Sequence, residues 1–198
     1  MTDRPRRATV EPMHWEERLL ALFDDLEQQA EGLALSARDA EVAELGRAEY
    51  AKVDLASRLH GSVGRRVGLV VEGLGRLDAV LARVGAEWCL ADDGSHEWLV
   101  RVDALMQVSG LGEQAVDARH RSLGARLGFG SALRGVADER LPVLLHLRGG
   151  GTVRGTVRRV GADFVELLAG VPDGAWGDVA SARPEVVAFG AVAAVRRT

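Results

Sequence analysis

Five histidines and one cysteine are the residues of this chain best suited to ligating a metal or carrying a nucleophile. His14, His60, His96, His120 and His146 stand far apart, without the i, i+3 or i, i+4 spacing that puts two imidazoles on one helical face. A lone cysteine, Cys89, excludes an internal disulfide and an all-cysteine metal site. It lies in a strand-like run, Trp88 to Ala91, and reads as a buried structural thiol. Gly149-Gly150-Gly151 resembles a phosphate cradle only superficially, because it separates two strand-like runs and no helix follows it. Asp92-Asp93-Gly94 and Asp173-Gly174 hold too few carboxylates for calcium and read as turns. No nucleophile elbow, Walker loop or dinucleotide fingerprint occurs. The chain is therefore expected not to be an enzyme, with no cofactor, metal or small-molecule substrate.

Charge is the feature that stands out. The chain of 198 residues carries a net charge of −4, yet between Arg119 and Val160 nine arginines face only Asp138 and Glu139. His146, Arg148, Arg154 and Arg158 alternate with the apolar residues of a predicted hairpin, and Arg159 adjoins them. These five form a candidate patch for an anionic partner: a nucleic-acid backbone, an anionic surface or an acidic protein face. A solvated charged face is the plainer alternative.

The elements that carry this patch are duplicated. Leu69 to Trp88 matches Leu145 to Phe164 at a constant offset of 76, with Arg83-Val84-Gly85-Ala86-Glu87-Trp88 answering Arg159-Val160-Gly161-Ala162-Asp163-Phe164. Val100–Val108 answers Val187–Val195 at an offset of 87, the extra residues falling around Pro172, Asp173 and Gly174. Upstream, Ser57 to Gly61 answers Ser131 to Gly135. Each copy reads as a short helix followed by five strands. In the second copy Val143, Leu145 and Leu147 alternate with less apolar residues, and a glycine turn leads into Val153 and Val157. Val160 is out of phase with that pair, which predicts a bulge near Arg158 and Arg159. Trp88 and Phe164 are expected to occupy equivalent core positions. On the first copy the aligned hairpin positions are Val70, Glu72, Asp78, Val80 and Ala82, acidic and apolar where the second is basic.

The run Leu147-x-x-Gly-Gly-x-Val153-x-Gly155-x-Val157-x-x-Val160 resembles the first motif of the Sm-like fold and, more loosely, other SH3-like barrels. That resemblance implies an α+β, mainly β chain with two tandem five-stranded barrels, each preceded by a short helix. It does not carry over the uridine pocket of Sm proteins, which uses an Asp and an Asn. The aligned residues are Gly161 and Val165 in the second copy, Gly85 and Cys89 in the first. The whole chain is also similar to actinobacterial proteins of this length, some labelled transcription regulators, but no helix-turn-helix pattern is present.

From His14 to about Arg58 no proline interrupts a helical composition. Trp15, Leu19, Leu22 and Leu26 fall at heptad-compatible spacing and form a candidate partner helix, opposite a face rich in Glu and Asp. That stripe either packs on the chain's own strands or serves self-association. The expected organisation is a disordered leader over 1–13, a helical segment over 14–54, barrel one with its helix over 55–110, a connector over 111–127 and barrel two over 128–198. No apolar run is long enough to span a bilayer, and the chain is expected to be cytoplasmic. The favoured reading is a binding or assembly module with a protein partner or self-association. The alternative is a regulator binding RNA or DNA through the basic patch.

Overall fold

The computed structural model describes residues 15–117, 119, 123–169 and 184–197. His14, His120, Arg121, Trp176 and the expected loop around Pro172, Asp173 and Gly174 lie outside them, as does the expected leader over 1–13. The chain divides into two units, Met1–Lys52 and Val53–Thr198. In the first, α1 (Trp15–Tyr50) is one uninterrupted helix. Glu16 and Glu17 in its first turn and Arg47 in its last complement the helix dipole. None of its residues is buried.

The second unit is mainly β. Helix α2 (Leu55–His60) opens on Asp54, whose Oδ1 accepts the Ser57 N–H at 2.6 Å as an N-cap. Five strands follow: β1 (Arg66–Val71), β2 (Gly75–Val84), β3 (Trp88–Asp92), β4 (Glu97–Arg101) and β5 (Leu105–Ser109). Helix α3 (Phe129–Asp138) introduces the second set: β6 (Pro142–Leu147), β7 (Thr152–Val160), β8 (Phe164–Ala169), β9 (Pro184–Ala188) and β10 (Val192–Arg197).

The duplication extends to the hydrogen-bond register. Leu69 pairs with Leu77 in the first copy and Leu145 with Val153 in the second; Cys89 pairs with Val100, and Val165 with Val187. The bulge expected from Val160 is present, a register shift between Val157 and Arg159, and its twin falls between Leu81 and Arg83. Both copies close the next turn alike: Gly85 N–H donates to the Trp88 carbonyl at 2.7 Å, and Gly161 N–H to the Phe164 carbonyl at 2.9 Å. A one-turn 3-10 helix, Val102–Ala104 or Phe189–Ala191, joins the fourth and fifth strands of each copy.

One expectation needs correction. The strands do not form two separate closed barrels. They form one antiparallel sheet of ten strands in the order β5-β1-β2-β3-β4-β10-β6-β7-β8-β9. The reason is that the fourth strand of copy one and the fifth strand of copy two pair with each other, Leu99 opposite Val195 and Val100 opposite Ala194. A strand edge left open by one copy is thereby satisfied by the other.

Two apolar cores flank this sheet, and each borrows from the opposite copy. Core one is built on Leu69, Leu81, Cys89 and Val100 and takes in Ala193 and Ala194 of β10. Core two is built on Phe129, Leu133, Leu145 and Val165 and takes in Trp88 and Leu99 of copy one. Phe164, expected in the core, is only half-buried. Its twin Trp88 is buried because copy two covers it, and no equivalent cover lies over Phe164 among the described residues.

Cys89 is fully buried, and that burial pushes its thiol up to about 12. Thiol reagents are expected to leave it unmodified in the native protein at mildly alkaline pH and to label it fully in denaturant. The folded thiol holds its proton to higher pH than the unfolded one. Its contribution to stability is therefore intact below about pH 8.5, where the unfolded thiol begins to ionise, and is lost as pH rises toward 12. Fast native-state labelling would show that the site opens.

Candidate interaction site between the repeats

Of the residues singled out for chemistry, Arg148 and His146 lie at the seam where β4 meets β10. Copy one presents the acidic side. Arg148, at the end of β6, turns back onto it: Nη1 lies 3.0 Å from Glu72 Oε2, and Nη2 lies 2.7 Å from Asp103 Oδ1. Glu72 and Arg148 are aligned residues of the two copies, 76 apart. The opposite charges that the alignment revealed thus pair with each other.

Four further residues of the seam, Arg197, Arg101, Glu87 and Trp88, add contacts. Arg197 bridges Glu97 at 2.6 Å and Glu139 at 2.8 Å. Arg101 donates from Nη1 to the Phe189 carbonyl at 2.8 Å, holds Asp103 at 2.6 Å and lies over the Phe129 ring. Glu87 Oε2 accepts the Phe129 N–H at 3.0 Å, so an acidic residue of copy one caps the helix that opens copy two. The Trp88 indole N–H donates to the Leu127 carbonyl at 2.9 Å. Most of these charges keep partial solvent contact, so each pair contributes on the order of 1 kcal/mol or less. The apolar exchange of Trp88, Leu99, Ala193 and Ala194 supplies most of the adhesion, and the charges fix register.

The rest of the basic patch is divided. His146 is half-buried 5.4 Å from the Trp98 ring, and Arg196 lies over the same ring. Burial first, and the Arg196 charge second, hold its imidazole below the ordinary histidine range. Arg154, Arg158 and Arg159 are exposed on β7. The seam consequently removes Arg148 and His146 from an open basic face and leaves three arginines on it. Trp98, read in sequence only as a strand start, is buried in core one, its N–H donating to Asp93 Oδ2 at 2.7 Å. That bond and those from Ser95 and His96 hold the Asp93 carboxyl below the usual carboxylate range. Asp92 and Asp93 are thus occupied as turn acceptors.

Trp15, Leu19, Leu22 and Leu26 are all exposed on α1. A cavity of about 420 Å³ opens along the seam between Leu90 and Leu99 on one side and Ala132 and Val136 on the other. Four charged groups line it: Arg197 bridges Glu97 and Glu139, and Arg83 is the fourth.

No protein-family model matches this chain, and no curated protein matches it. No group of three or more potential metal ligands occurs among the described residues. None of the described helices is long and apolar enough to cross a membrane.

Proposed function

We propose that this protein is a non-enzymatic assembly module that acts through protein–protein contacts, built from two Sm-like barrels whose open edges join. The observation that carries this reading is the pairing of Arg148 with Glu72 and Asp103. The position that best fitted an anionic ligand is occupied by an acidic protein face, and that face belongs to a sister copy of the same fold. A fold that recognises its own duplicate by strand addition and matched charge is suited to recognising protein. The exposed stripe of Trp15, Leu19, Leu22 and Leu26 offers a second contact of the same class.

The test is light scattering on the full chain, run beside RNA and DNA binding at low and moderate salt. Wild type is expected to assemble and to show no salt-dependent retention on either nucleic acid. The double change Arg158→Ser with Arg159→Ser is expected to alter neither result. A monomer that binds RNA or DNA, loses affinity steeply with salt and loses it again in the double variant would overturn the proposal. It would establish the backbone-binding alternative.

A further inference from the structure

Helix α1 carries its apolar face in the open. It runs 36 residues from Trp15 to Tyr50, and none of its residues is buried. Trp15, Leu19, Leu22, Leu26 and Leu33 are 46–71% exposed along it. Helices in folded proteins draw most of their stability from packing an apolar face. A helix this long with its stripe in water lacks the contact that would stabilise it.

The stripe keeps one heptad register from end to end. Leu19, Leu26, Leu33, Ala40 and Arg47 take the a positions, and Trp15, Leu22, Gln29, Ser36, Ala43 and Tyr50 the d positions. Large residues fill the first half of this seam and small ones the second. A seam with that gradient fits a copy of itself running in the opposite direction.

We propose that a second copy of this chain docks its α1 antiparallel on the first, residues 15–40 of the two helices overlapping in a two-fold dimer. This deepens the assembly reading above and rests on it. In that register Trp15 meets the partner's Ala40, Leu19 its Ser36, Leu22 its Leu33 and Leu26 its Gln29. Large side chains thus lie against small ones at both ends, with leucine on leucine between them. The Ser36 hydroxyl already donates to the Leu33 carbonyl at 2.9 Å, so covering it strands no proton. Gln29 Nε2 donates to Asp25 Oδ2 at 2.9 Å. The two Gln29 side chains fall in adjacent central layers, where a polar residue in the seam fixes register.

Charge selects this alignment over its neighbours. At the flanking positions Arg18 meets the partner's Asp39, Asp25 its Gly32, Glu16 its Ala37 and Phe23 its Ala30, so no like charges are opposed. Among the described residues neither Arg18 nor Asp39 is held in an ion pair within the chain. Sliding the partner by one heptad sets Asp25 against Asp39 in one direction and against its own copy in the other. A parallel pair sets Asp39 against Glu44 and brings the two Arg47 side chains together in the seam. Glu17, Asp24 and Glu31 occupy f positions on the far side and stay in water. The apolar residues outside the seam, Leu20, Leu35, Val42 and Leu45, take b, c and f positions and play no part in the pairing.

The experiment uses the full-length chain. Wild type is expected to form a dimer with rising concentration in light scattering. Leu22→Lys is expected to raise the dissociation constant at least ~10-fold. Position 22 is exposed and lies outside the sheet unit, so the sheet's unfolding midpoint is expected to match wild type. Cross-linking reads the alignment. Leu22→Cys and Leu33→Cys are oxidised mildly, each alone and then mixed; Cys89 is buried and takes no part. In the antiparallel pair positions 22 and 33 share a layer. The two copies of position 22 lie about 16 Å apart along the axis, beyond the roughly 7 Å that a disulfide spans. The mixture is therefore expected to give a covalent pair and neither variant alone to do so. No product in the mixture, or cross-linking of each variant with itself, would overturn the antiparallel register. If Leu22→Lys assembles as wild type does, the α1 contact is wrong and the assembly reading stands. A wild type that stays monomeric at every concentration would overturn both.

Discussion

Trp88→Ala is expected to destabilise the protein by about 3–5 kcal/mol, and Phe164→Ala by only ~1–2 kcal/mol, although the two residues occupy the same turn of the two copies. Trp88 is buried in core two beside Leu99, and its N–H satisfies the Leu127 carbonyl. Removing it opens a cavity, strands that carbonyl and takes away the main apolar contact that copy one makes with copy two. The neighbouring Glu87–Phe129 bond depends on the same turn staying in place. Phe164 is half-buried and, among the described residues, belongs to neither core. Its loss removes partial burial and leaves no enclosed void. Urea titration at a protein concentration low enough to keep the chain monomeric reads both values. Equal losses at the two sites would show that the second ring is as enclosed as the first.

That difference marks how far the sequence alone could go. The alternation of the strands, the bulge after Val157 and the glycine turn are legible in the sequence, because each depends on residues within one copy. Alternation, glycine placement and the phase break at Val160 are local signals, and the duplication doubled each of them. Trp88 is buried as its sequence predicts, but the cause is not local, because its cover comes from α3 and β10 of the other copy; Phe164, with the same local pattern, is only half-buried. Arg148 carries the same lesson. The alignment sets Glu72 and Arg148 as opposite charges at one structural position, and by itself it leaves the basic one to an outside partner or to solvent. Opposite charges at equivalent positions of a repeat also fit a direct contact between the copies. Residues facing across the seam are not aligned residues, however, and only the β4–β10 pairing brings Glu72 within reach of Arg148.

Gly73→Ala is expected to be severe and Gly149→Ala nearly neutral, although the two glycines are also aligned. Gly73 lies in the turn between β1 and β2 with φ of 71°, a left-handed conformation that costs a non-glycine residue roughly 1–2 kcal/mol. A Cβ there would also run into the backbone carbonyl oxygens of Leu147 and Arg148. Those atoms cannot swing aside as a side-chain tip can, because the Arg148 N–H is held by the Ala191 carbonyl at 2.9 Å and the Leu147 N–H by Gly151 at 2.8 Å. Relief requires the two copies to separate at the end of the seam, which pulls Arg148 from Glu72 and Asp103. Strain and forced repacking together are expected to cost ~2–5 kcal/mol. At Gly149 an added Cβ meets nothing within 4 Å, and its φ lies outside the positive range, so alanine there is expected to shift stability by about 0.5 kcal/mol or less. The readout is the urea midpoint together with hydrogen exchange at the β4 and β10 amides. The Gly73 variant is expected to lose protection there before β2, β3, β7 and β8 do. If it keeps the wild-type midpoint and exchange pattern, the close approach of the β1–β2 turn to β6 is not a feature of the folded chain.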